Sequence, residues 1–86
     1  MATTKRVYFR IQAPEAEEVA VTGSFNGWQT LRPLKKGKTG LWQTWMNLAP
    51  GGYEYRFLVD GHWTNDPKCQ RRAPNPYGAE NDVLSV

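Results

Sequence analysis

The chain has 86 residues, 40% of them hydrophobic and 22% charged, with a formal net charge of +3. A chain this short forms one small domain with a modest core, and no segment reaches the roughly 20 apolar residues that a membrane-spanning helix needs. The charge is mild and its basic residues are spread along the chain, which argues against the one-sided basic footprint of a nucleic-acid binder.

Cys69 is the single cysteine, so an internal disulfide is excluded and nothing points to an oxidising compartment. The opening Met1-Ala2-Thr3-Thr4-Lys5-Arg6 is not followed by an apolar stretch of signal-peptide length. The expectation is a cytoplasmic protein, or a module of a larger one.

Period-two alternation dominates, and no convincing helix is visible. Val7, Phe9 and Ile11 share one face of a first strand, with Tyr8 and Arg10 on the other, and Pro14 ends it. Glu15-Ala16-Glu17-Glu18 is short enough to be only a turn or a single helical twist. Val19 and Val21 face inward from a second strand that stops at Gly23. Thr30 to Leu34 reads as a short edge strand, because Pro33 cannot donate to a central ladder. Gly37 and Gly40 bracket a hairpin whose solvated tip carries Lys35, Lys36 and Lys38.

From Leu41 to Leu48, Trp42, Thr44, Met46 and Leu48 share one face, so Trp42 reads as core. Trp45 points the other way beside Gln43, to be partly buried or to form a docking surface for another domain. Pro50-Gly51-Gly52 turns the chain into its clearest strand. There Tyr53, Tyr55, Phe57 and Val59 lie on one side and Glu54, Arg56 and Leu58 on the other. Asp60-Gly61 is a two-residue hairpin signal, returning through His62-Trp63-Thr64 until Asp66-Pro67 breaks the strand. Residues 67–79 read as a loop, and Asp82 to Val86 as a last strand. About seven short strands with turns every 8–12 residues indicate a single all-β, antiparallel two-sheet sandwich.

Two tryptophans follow tight-turn signals: Trp28 after Asn26-Gly27, and Trp63 after Asp60-Gly61. Turns run over the surface, so flat indole faces held there by a stiff scaffold suit a ligand with flat apolar faces of its own, such as a sugar ring. The plainer readings remain open beside this one. Trp28 can plug an end of the sandwich, Arg56 can be an ordinary solvated strand residue, Asn81 a turn former, and Tyr77 can pack down on the sheet. His62 has no second metal ligand near it in sequence and reads as a plain exposed histidine.

The ordered run Val19-Ala20-Val21-Thr22-Gly23-Ser24-Phe25-Asn26-Gly27-Trp28, then Pro50 to Trp63, then Asp66-Pro67, resembles the family-48 carbohydrate-binding modules. These include the early-set domains of isoamylases and branching enzymes and the glycogen-binding domain of the AMP-activated kinase β subunit. The resemblance spans nearly the whole chain and implies an immunoglobulin-like sandwich that binds α-1,4-linked glucans. It carries the family's two stacking tryptophans onto Trp28 and Trp63, its basic side chain onto Arg56 and its asparagine onto Asn81. Tyr77 and Ala79 stand where kinase-type modules often have Leu and Thr; Tyr77 offers a third stacking surface, and Ala79 removes a hydroxyl contact. The resemblance also holds a second reading open, an accessory domain of a starch- or glycogen-processing enzyme that docks on the catalytic domain with a vestigial sugar site.

An enzyme is not expected. Glycoside hydrolysis needs two carboxyl groups about 5–10 Å apart in a cleft, and Asp60 and Asp66 are better explained by their turns. No phosphate loop, metal-ligand spacing or activated nucleophile is present, so no cofactor or metal is expected. The expected partner is an α-glucan, with a catalytic or regulatory domain as a further candidate and neither nucleic acid nor membrane.

Overall fold

A computed structural model describes residues 3–86; Met1 and Ala2, the first two residues of the opening Met1–Arg6 segment, lie outside them. Among the described residues nine strands make two antiparallel sheets, with one short 3₁₀ turn between the second strand and the third. The strands are β1 (Lys5–Gln12), β2 (Val19–Gly23), β3 (Arg32–Pro33), β4 (Lys35–Lys36), β5 (Leu41–Leu48), β6 (Gly52–Val59), β7 (His62–Thr64), β8 (Arg72–Pro74) and β9 (Glu80–Ser85). One sheet has the order β1-β5-β4 and the other β3-β2-β6-β9-β8, with β7 also on β6.

The alternation read from the sequence sets which side chains fill the space between the sheets. In β1, Phe9 and Ile11 are buried while Tyr8 and Arg10 are exposed. β1 and β5 pair from Lys5↔Leu48 to Gln12↔Leu41, so the inward pairs are Val7↔Met46, Phe9↔Thr44 and Ile11↔Trp42. The facing sheet contributes Val19, Val21, Tyr55 and Phe57, and Phe57 and Val21 are wholly buried. The rings of Phe9 and Tyr55 meet edge-on at 5.2 Å between centres, and Tyr55 meets Phe57 in the same way at 5.8 Å. Trp42 is core as expected, and its indole N–H donates to the Ala13 carbonyl at 2.9 Å, so the one polar atom of that ring is satisfied inside.

β6 positions the functional residues because it is bonded along both edges. β2 runs along one edge, Gly23↔Tyr55 to Val19↔Val59. The other edge is shared, with β9 pairing Gly52 to Tyr55 and β7 pairing Phe57 to Val59. The 67–79 segment is not wholly loop as expected, because residues 72–74 form β8 against β9. An edge strand tolerates Pro74, which has no N–H to give, and Arg72 anchors β8 through Asp82, its cross-strand partner. The strand count among the described residues is therefore nine rather than about seven. The lysine-bearing hairpin also begins earlier than expected. Lys35 and Lys36 already pair with β5, and buried Leu34 is the pivot where the chain crosses from one sheet to the other. Among the described residues the single helical twist lies at Ser24–Asn26, while residues 15–18 hold no helix and only turn and bend.

Candidate functional site

Trp28 is placed by the turn that leaves β2. After the 3₁₀ turn both Gly27 and Trp28 adopt the left-handed conformation, at φ 67° and 63°. For a tryptophan this costs about 1 kcal/mol or more, so neighbours must enforce it. Asn26 does so: its Oδ1 accepts from the Trp28 N–H at 3.2 Å, the Gly23 N–H at 3.4 Å and the Thr22 hydroxyl at 3.3 Å. Its Nδ2 donates to the Thr30 carbonyl at 2.8 Å, closing the far side of the turn. The turn also needs Gly23, because a Cβ there would fall on the Glu54 carbonyl and the Phe25 ring. The indole that results is 40% exposed.

Trp63 comes from the Asp60-Gly61 hairpin, where Asp60 has φ 48°. The Asp60 carboxylate accepts from the N–H groups of Glu17 and Glu18, both at 2.8 Å, which ties the hairpin to the 15–18 turn. β7 sets Trp63 opposite Leu58, and its ring is 53% exposed. Arg56, on the same strand as Leu58, carries its guanidinium carbon to 5.5 Å from the Trp63 ring centre. The Arg56 Nε is buried and is the only such side-chain polar atom among the described residues without a hydrogen-bond partner. An unpaired buried donor is costly; here it belongs to a fork of donors that lines an open groove.

The third wall is the 75–79 turn. Asn75 accepts at its Oδ1 from the N–H groups of Tyr77 at 2.9 Å and Ala79 at 3.1 Å. Its Nδ2 donates to Asn81 Oδ1 at 3.1 Å, and Asn81 Nδ2 donates to Glu54 Oε1 at 3.1 Å. Since a carboxylate only accepts and a backbone N–H only donates, both amides are fixed in orientation. Asn81 is buried, and these two bonds leave its amide one N–H and one lone pair for another partner. Tyr77, at 91% exposure, stands on the rim.

All five residues singled out in the sequence, Trp28, Arg56, Trp63, Tyr77 and Asn81, line one groove of about 600 Å³, together with Asn75 and Pro76. Trp28 and Trp63 therefore share one surface, and neither plugs the sandwich. Tyr77 does not pack down on the sheet. The sequence reading missed Asn75 and Glu54. The turn chemistry of Asn75-Pro76 with Gly78 marks the first, whereas Glu54 looks like any outward strand residue until β9 is laid beside it. No carboxylate is among the groove's lining residues. Asp82 and Asp66 brace the scaffold: wholly buried Asp82 pairs with Arg72 at 3.2 Å and accepts from the Asp66 N–H at 2.7 Å. The Tyr55 hydroxyl donates to Asp66 Oδ2 at 2.8 Å. Burial first, and then that contact with an acid, push the Tyr55 hydroxyl pKa well above its ordinary value. His62 is exposed, and no group of potential metal ligands exists among the described residues.

Similar proteins carry the same stretch. The chain is 44% identical over 71 residues to Protein PTST homolog 2, chloroplastic, of Arabidopsis thaliana, covering 83% of this chain and 13% of that protein. It is 38% identical over 81 residues to Protein FLOURY ENDOSPERM 6, chloroplastic, of Oryza sativa subsp. japonica, covering 94% and 15%. It is 41% identical over 70 residues to the 5'-AMP-activated protein kinase subunit beta-2 of Homo sapiens, covering 81% and 25%. The chain thus spans a quarter or less of the length of these three relatives. Residues 7–86 match the family described as the glycogen recognition site of AMP-activated protein kinase, and the chain belongs to that family.

Proposed function

We propose that the groove binds α-1,4-linked glucans (glycogen, starch and malto-oligosaccharides) and performs no chemistry on them. The observation that carries this reading is two exposed indoles and an unpartnered buried arginine donor in one groove. Trp28 and Trp63 stack on the C–H faces of glucosyl rings, and Tyr77 extends the platform at the rim. An aromatic side chain buries at most about 150–250 Å², worth up to a few kcal/mol at roughly 25 cal/mol per Å² and less when one face is covered. Arg56 and Asn81 meet the hydroxyls, each hydrogen bond netting about 0.5–1.5 kcal/mol. After ordering costs the sum corresponds to micromolar to millimolar affinity, suited to a polymer of repeated sites. A groove lined by Trp, Arg, Asn, Pro and Tyr, without a carboxylate pair, supports binding rather than hydrolysis.

The rival, an accessory domain with a vestigial sugar site, is less well supported, because the tryptophans stay open on one surface while the surroundings of Trp45 are cationic. Titrating the intrinsic tryptophan fluorescence with maltoheptaose tests the proposal. Saturable binding is expected, lost in both Trp28→Ala and Trp63→Ala while the β-type circular dichroism is kept. Unchanged affinity in both variants sinks it.

A further inference from the structure

Away from the groove, Tyr8 and Trp45 are paired across β1 and β5 on the outer side of the three-stranded sheet. They are 45% and 44% exposed. An arginine from β1 covers each: Arg6 Cζ lies 4.1 Å from the Trp45 ring centre, and Arg10 Cζ lies 4.4 Å from that of Tyr8. Strand alternation puts Arg6, Tyr8 and Arg10 on one side. The whole sheet with its 37–40 turn carries Lys5, Arg6, Arg10, Lys35, Lys36 and Lys38 and no Asp or Glu, because every acid lies outside it. Basic residues that look dispersed along the chain are collected by the fold into one layer.

The stacking decides what this layer can recognise. A guanidinium held over a ring has lost much of its rotamer freedom but keeps its N–H edge for an acceptor. Arg10 is steadied further by donating its Nε to Gln43 Oε1 at 3.1 Å. A guanidinium already occupies a face of each ring on which a base or a sugar would otherwise stack. Carboxylates fit instead, since they match the arginine fork. Arg6 and Arg10, four residues apart on a strand, are spaced about 13 Å, the repeat of side chains i and i+4 in an extended peptide.

We propose that the outer face of β1 and β5 docks an extended acidic segment of a partner protein, with carboxylates on Arg6 and Arg10 over the Trp45–Tyr8 pair. The test is fluorescence anisotropy with three fluorescein-labelled probes: a dodecapeptide of alternating Glu and Val, its Gln-Val counterpart, and a thymidine oligonucleotide of similar length. At low salt the Glu-Val peptide binds the intact chain and the Gln-Val peptide does not, and binding fades as salt rises through the screening range. Arg6→Gln with Arg10→Gln weakens the Glu-Val peptide about tenfold. Lys68→Gln with Arg71→Gln, an equal loss of charge off this face, changes it less than about twofold. Thermal melts show whether both double variants remain folded. The proposal is overturned if the Glu-Val peptide does not bind, or if the two double variants weaken it equally. Tighter oligonucleotide binding through the same arginines also overturns it, in favour of a nucleic-acid face.

Discussion

Asn75 and Asn81 are joined amide to amide, with Asn75 Nδ2 donating to Asn81 Oδ1 at 3.1 Å. The contact links the rim that carries Tyr77 to the floor of the groove, and Glu54 holds its other end. Asn75 and Glu54 thereby set the direction of Asn81, the residue proposed to meet the ligand.

Replacing Asn75 separates holding the turn from orienting Asn81. Asn75→Ala lowers maltoheptaose affinity about fivefold, the equivalent of one hydrogen bond. Asn75→Asp keeps the acceptor for the Tyr77 and Ala79 N–H groups, so the turn persists. It removes the donor to Asn81, and affinity falls by a similar factor with little change in melting temperature. Calorimetric titration beside a thermal melt reads both quantities.

Asn26 has the same office at the opposite wall. Asn26→Ala removes the acceptor for three donors and the link to Thr30, leaving the Trp28 N–H at positive φ with its bond to the Gly23 carbonyl at 3.0 Å alone. Stability falls by about 1–3 kcal/mol in urea unfolding, and maltoheptaose affinity falls roughly tenfold because the indole is no longer held. Asn26→Asp retains the acceptor and lands between the two.

The core is sensitive to alkali through Tyr55. Burial and the bond to Asp66 raise its hydroxyl pKa, so the folded chain keeps a proton that the unfolded chain releases above about pH 10. The stabilisation is complete below that pH, and above it stability falls by about 1.4 kcal/mol per pH unit. Tyr55→Phe has no such proton. It loses about 1–1.5 kcal/mol at neutral pH with the Asp66 contact, and its urea midpoint declines less steeply above pH 10.

Strand periodicity was legible in the chain because burial on one side of a pleated strand leaves a period of two. Phe9, Ile11, Trp42, Tyr55 and Phe57 all fall inside as their alternation requires. Turn chemistry was equally legible at Asn26-Gly27 and Asp60-Gly61, where the left-handed Gly27, Asp60 and Gly61 follow from local residue type. β8 was not, since a strand containing Pro74 becomes one only when β9 supplies its partner and Asp82 its counter-charge.

By itself the sequence determined an all-β domain and the residue types able to meet a glucan, because propensity and alternation act between near neighbours. Only the tertiary structure decided that Trp28, Arg56, Trp63, Tyr77 and Asn81 share one groove, since β2 and β9 come beside the β6–β7 hairpin only through long-range pairing. The same holds for Asn75 and Glu54 acting through Asn81, and for the gathering of cations on the β1–β5 face. Distances of this kind are set by register between strands far apart in the chain, which no local pattern encodes.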